Sequence, residues 1–160
     1  AMEGEGCAGG AVADLNVAFD GEIAEVIAAK EFSGKLGTAI GLRSRGRIAA
    51  RRVIVVGIGK KEELTVERVR QAVGKGVRRA LRARASSLAL VLVGAGYGEL
   101  PVREVAQAVA EAAHLAAYRF DAWKKREENA VVLERAIVVE KMQGKTSPLS
   151  MIVILPNKQL

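Results

Sequence analysis

Three stretches of the 160-residue sequence carry residues whose type and spacing suit a ligand. Gly9-Gly10-Ala11-Val12 stands ahead of a helical pattern. Gly94-Ala95-Gly96-Tyr97-Gly98 joins an apolar run to the helix that Pro101 opens. Glycines let backbone amides approach an anion, and a helix N-terminus adds partial positive charge. The chemistry on offer is anion or nucleotide binding, with Gly9, Gly10, Ala11, Val12, Gly94, Gly96, Tyr97 and Gly98 as candidate residues. Tight turns with no ligand account for the same letters. The third stretch is an arginine-rich helix in which Arg78, Arg79 and Arg82 could meet nucleic-acid phosphates. Its plainer reading is a solvated helix face.

Groups for catalysis are scarce. His114 lies in an alanine-rich helical stretch, and the one cysteine, Cys7, is far from it in sequence. Zinc sites built on His and Cys need several such ligands. The sequence has no Gly-x-Ser-x-Gly elbow for an α/β-hydrolase nucleophile. Gly57-Ile58-Gly59-Lys60-Lys61 has the letters of a phosphate-binding P-loop in the wrong spacing. Asp14, Asp20 and Asp121 are the only aspartates, which argues against a carboxylate-only dinuclear metal site. The expectation is no catalytic residue, no metal site and no cofactor on this chain.

Half of the residues are hydrophobic but only 4% are aromatic, so the core must come from Val, Ile, Leu and Ala. The net charge is +7 and the isoelectric point about 9.9, a balance that favours anionic partners. Aromatic residues do not interleave the arginines as a single-strand binder would require. With a lone cysteine, a reducing cytoplasm is the simplest compartment. No apolar run approaches the roughly 20 residues of a membrane span, and the start Ala1-Met2-Glu3-Gly4-Glu5-Gly6 lacks the basic and apolar regions of a signal peptide.

The elements that must position these residues follow from periodicity. Asp20-Gly21-Glu22 opens a helix with Asp20 as its expected N-cap; Ile23, Val26 and Ile27 form the apolar face and Phe32-Ser33-Gly34 the end. Gly37 to Leu42 and Arg52 to Val56 read as strands around the polar turn Arg43 to Arg47. The β-branched run Val53-Ile54-Val55-Val56 suits a strand covered on both faces. The longest helix runs from about Thr65 to Arg84, with Val66, Val69, Val73, Val77, Ala80 and Leu81 as its stripe. Gly74 and Gly76 within it suggest close packing against the sheet. Leu88 to Val93 is a strand, Pro101 to Ala117 a helix packed through Val102, Val105, Val109, Ala112, Ala113 and Ala116, and Val131 to Glu140 a strand. Met151 to Leu155 is a last short strand. Alternating strands and helices predict an α/β domain with helices on both faces of a mostly parallel sheet.

Three motifs occur in the order and at the intervals of one family. Val53 to Thr65 reads VIVVGIGKKEELT, a strand ending in a Val-Gly-x-Gly-Lys turn before a long helix. Phe32-Ser33-Gly34-Lys35-Leu36-Gly37 precedes it, and Ala117-Tyr118-Arg119-Phe120-Asp121 follows. The segment from about Gly9 to Glu140 thereby resembles the N-terminal domain of the leucyl aminopeptidases; residues 141–160 diverge. The resemblance implies a three-layer, macrodomain-like fold with a mixed, mostly parallel sheet over a single domain. Gly9 to Val12 and Gly96 to Pro101 resemble the loops of macrodomains. The strands that normally precede Gly9 in the family are missing, and Met151 to Leu155 is a candidate replacement. Tyr118 and Phe120 are expected to pack at a helix end.

Enzymes of this family are two-domain exopeptidases, usually hexameric. Two divalent metals, such as zinc or manganese, are held in the C-terminal domain, which is absent here. The resemblance therefore implies a non-catalytic domain with an assembly or partner-binding role, in a homo-oligomer or against a separate catalytic domain, in the cytoplasm and away from membranes. Alternatives are a standalone binder of ADP-ribose or another nucleotide through the glycine loops, and a DNA-binding module through the basic helix.

Overall fold

The run Val53-Ile54-Val55-Val56 lies within β2 (Ala50–Gly57), and every residue from Val53 to Gly57 is buried. The fold is that of a computed structural model, which describes residues 10–91, 100–118, 132–139 and 150–156. Successive strand residues point to opposite faces, and both faces of β2 are covered. Ile54 and Val56 pack with Val69, Val73 and Val77 of α3 (Val66–Arg82) and Val105 and Val109 of α4 (Val102–Ala117). Val53 and Val55 pack with Val12 of α1 (Gly10–Ala18), Ile23 of α2 (Glu22–Ala28), Phe19 and Phe32. Cover on both sides explains why β2 is a continuous apolar run rather than an alternating one.

The sheet order is β1-β2-β5-β3-β4, with β1 at Ala39–Arg43, β3 at Ser87–Val91, β4 at Arg135–Val139 and β5 at Ser150–Pro156. The expectation of a mostly parallel sheet fails. Of the four pairings only β3 with β4 is parallel. The reason is connection length. Six residues, 44–49, join β1 to β2, and so short a link can join only antiparallel neighbours. The strand anticipated over Met151–Leu155 is β5, and it enters between β2 and β3 antiparallel to both. The result is a mixed α/β fold in which β5 alone ties the β1–β2 hairpin to the β3–β4 pair.

Helix boundaries show where local signals hold. Thr65 caps α3, its hydroxyl accepting the Arg68 N–H at 3.2 Å. Asp20 does not cap α2. Residue 21 precedes that helix at φ 88°, which favours glycine, and Asp20 itself turns at φ 53°. The capping role passes to Asn16 of α1, whose Oδ1 accepts the Ala24 N–H at 2.9 Å. Asp20 instead pairs with Arg47 at 3.2 Å. In α3, Val69, Val73, Val77 and Ala80 are buried as expected, while Val66 and Leu81 are half-buried. In α4, Val105, Val109, Ala112 and Ala113 are buried, but Val102 stays 43% exposed. Tyr118 at the end of α4 is also exposed rather than packed, and Phe120 lies outside the described residues.

Candidate functional site

The glycine candidates are only partly placed. Gly10, Ala11 and Val12 form the first turn of α1 itself rather than a loop ahead of it, and the Val12 side chain is buried in the core. Gly9, Gly94, Gly96, Tyr97 and Gly98 lie outside the described residues.

The arginine candidates are brought together. Arg78, Arg79 and Arg82, all exposed, line a concavity of about 330 Å³ with Lys75 and Ala83, opposite Gly41, Arg52 and Ile54 of the β1–β2 hairpin. The hairpin register sets Gly41 against Ile54 and Arg43 against Arg52. Ile54 supplies a buried apolar floor. Gly41 leaves the floor open, since a Cβ there would come within 3.5 Å of the Arg79 Nε. Gly74 was expected to face the sheet; the nearest neighbour a Cβ there would meet is instead the Arg78 guanidinium, at 3.4 Å. The lining includes no acid. Among the described residues, none of Arg52, Lys75, Arg78, Arg79 and Arg82 has an acidic partner within ion-pair distance.

The first turns of α3 differ. Arg68 pairs with Glu63 at 2.7 Å. Arg70 donates to Glu111 of α4 at 3.0 Å and lies 3.7 Å from Glu67. Glu111 also accepts from Gln107 at 2.7 Å. The Gln107 amide first, and then the Arg70 guanidinium, hold its carboxyl below the ordinary glutamate range.

Sequence reading found the helix side of the concavity but missed Arg52, Gly41 and Ile54 as its other wall. The period-two spacing of Arg52 and Ile54 puts them on one face of a strand. Which helix covers that face is not written in the spacing.

A second assembly involves the motif turns. Gly57, at the end of β2, donates its N–H to Thr38 at 2.9 Å and accepts from the Gly37 N–H at 3.3 Å. The Gly59 N–H reaches the Gly34 carbonyl at 3.0 Å. A Cβ on Gly57 would overlap the Gly34 and Lys35 carbonyl oxygens, so only glycine permits this approach. The turns Gly34–Gly37 and Gly57–Lys60 are thus one backbone-to-backbone joint.

Residues 3–127 match the model of the cytosol aminopeptidase family, N-terminal domain. A probable cytosol aminopeptidase of Alkaliphilus oremlandii (strain OhILAs) is 34% identical over 116 residues, covering 72% of this chain and 23% of that protein. One from Alkaliphilus metalliredigens (strain QYMF) is 31% identical over 131 residues, covering 81% of this chain and 26% of its own length. The chain belongs to the cytosol aminopeptidase family. It corresponds to that family's N-terminal domain and spans about a quarter of these relatives. Among solved structures, the bottromycin maturation enzyme BotP in complex with Mn aligns at a TM-score of 0.60 and 26% identity, over 87% of this chain and 25% of that one.

Within this cytosol aminopeptidase N-terminal domain, both docked turns and the walls of the basic concavity fall inside the family match, whereas β4 and β5 lie beyond it. Among the described residues, no cluster of three or more His, Cys, Asp and Glu side chains is placed to hold a metal. No helix among them is long and apolar enough to cross a membrane.

Proposed function

We propose that this domain is a non-catalytic, architectural part of an aminopeptidase, serving assembly or contact with the metal-binding domain. The observation that carries this reading is the joint between Gly34–Gly37 and Gly57–Lys60. The glycine turns that mark the family here are used to close backbone on backbone. The finer fold reading, a three-layer macrodomain-like arrangement, goes with this proposal and is supported by the two apolar clusters on opposite sides of β2.

Two measurements test the role. The 160-residue chain is incubated with a leucine-amide substrate and added manganese or zinc; no hydrolysis above buffer is expected, and metal-dependent turnover by the pure chain would overturn the proposal. Sedimentation of the chain, alone and mixed with a separately produced metal-binding domain of a relative, should show a complex or a self-assembled oligomer. A monomer in both arms would end the assembly role.

A further inference from the structure

We propose that the concavity between the β1–β2 hairpin and the last turns of α3 is a binding site for a compact polyphosphate chain. Its lining combines Arg52 from the sheet with Lys75, Arg78, Arg79 and Arg82 from the helix. Arg43 stands directly opposite Arg52 across the hairpin, a pairing of like charges that is unfavourable without a counter-ion. The helix dipole favours cations in a last turn, which accounts for Arg79 and Arg82. It does not account for Arg52, which reaches the concavity from the sheet. Acid is within reach of the first turns of α3, where Arg68 pairs with Glu63 and Arg70 with Glu67 and Glu111, and is absent from the lining of the concavity.

Size and shape select the ligand class. A volume of about 330 Å³ is at the low end for small-molecule sites, roughly 300–1,000 Å³. Several adjacent phosphates fit the charge, since guanidinium groups bind phosphate oxygens through paired N–H donors. The floor formed by Gly41 and Ile54 is recessed between helix and hairpin, whereas the backbone of a nucleic-acid duplex is convex and would touch only the rim. The site lies at the start of β2, where α3 ends, and thus at the other end of that strand from the Gly57 joint. It is separate from the joint on which the assembly reading rests.

The test is calorimetric titration of the 160-residue chain at constant ionic strength with inorganic tripolyphosphate, a nucleoside triphosphate, orthophosphate and a short DNA duplex. Saturable one-to-one binding of tripolyphosphate is expected, at least about tenfold tighter than orthophosphate, each tenfold corresponding to about 1.4 kcal/mol. Equal affinity for the nucleoside triphosphate means that the phosphate chain alone is held; tighter binding means that the apolar floor takes the base. Both support the site. Arg78→Gln and Arg82→Gln, at exposed positions, should each weaken binding at least about tenfold. Gly41→Val keeps every charge and fills the floor, so it should weaken tripolyphosphate equally; Arg52→Gln replaces it if that variant does not fold. Absent or non-saturating binding overturns the proposal. So does affinity unchanged in both Gly41→Val and Arg52→Gln, or binding of the duplex alone, either of which would describe a diffuse basic surface.

Discussion

Arg70 and Arg82 sit on the same helix a little over three turns apart, and their surroundings are opposite. Arg70 is held between Glu111 at 3.0 Å and Glu67 at 3.7 Å, tying α3 to α4. Arg82 lines the concavity with Lys75, Arg78 and Arg79 and has no acidic partner among the described residues. Both ends share one buried stripe, from Val69 to Ala80, so packing does not distinguish them. Charge at the first end is used to join two helices. At the last end it is gathered around an open space. Residue types already separate the two halves: Val66–Gly74 carries Glu67 beside Arg68 and Arg70, whereas Lys75–Arg82 carries Lys75, Arg78, Arg79 and Arg82 and no acid.

The largest effect comes from removing the surface on which both halves rest. Deleting residues 150–156 takes out β5, leaving the β1–β2 hairpin and the β3–β4 pair without a shared strand. Circular dichroism should show no cooperative thermal transition. A retained sharp transition would mean that the two ends of α3 do not depend on a continuous sheet.

Next is Ile54→Ala. This side chain is 1% exposed, belongs to the α3 core and floors the concavity. Urea denaturation should show a loss of about 2–5 kcal/mol, and a loss well below that range would separate the floor from the core.

Charge reversal sharpens the contrast. Arg70→Glu places a carboxylate against Glu111 and should destabilise. Arg82→Glu relieves crowding among cations while giving up a cation that the helix dipole favours in the last turn, so stability should stay within about 0.5 kcal/mol of the parent. Added salt should stabilise the parent chain less once Arg82 is reversed, because screening then has less repulsion to remove. Equal losses for the two substitutions would erase the comparison.

The smallest effect is in pH. Glu111 has its carboxyl held below the ordinary glutamate range, so its contribution is present above that range. It is lost as pH falls through the lowered value, where folding no longer favours the ionised form. The stability difference between the parent and Glu111→Gln should therefore be constant near neutrality and shrink on acidification below the glutamate range. A difference that persists unchanged in acid would assign the effect to packing.

Much of the fold was legible because it rests on local chemistry. The apolar stripe from Val66 to Leu81 predicts a long helix over Thr65 to Arg84, and Val53 to Val56 predicts a strand covered on both faces. Both are found. The mostly parallel sheet was misread because the rule that links alternating helices and strands to parallel pairing says nothing about a hairpin or about a late strand that enters the interior. Asp20 was misread because a side-chain cap can come from another helix, here from Asn16. Of the candidate site, Arg78, Arg79 and Arg82 were visible from their place on α3, whereas Arg52 and Gly41 were not.

The sequence by itself determined the identity of the domain, the apolar faces of its helices and strands, and the surplus of positive charge. These are properties of residue type and of short spacings, which backbone geometry converts directly into faces. The tertiary structure decided how those faces meet: β5 between β2 and β3, Gly57 against Gly34 and Lys35, and the end of α3 over Gly41, Arg52 and Ile54. Such contacts join residues dozens of positions apart. Their selection depends on the packing of the whole sheet, to which no local pattern refers.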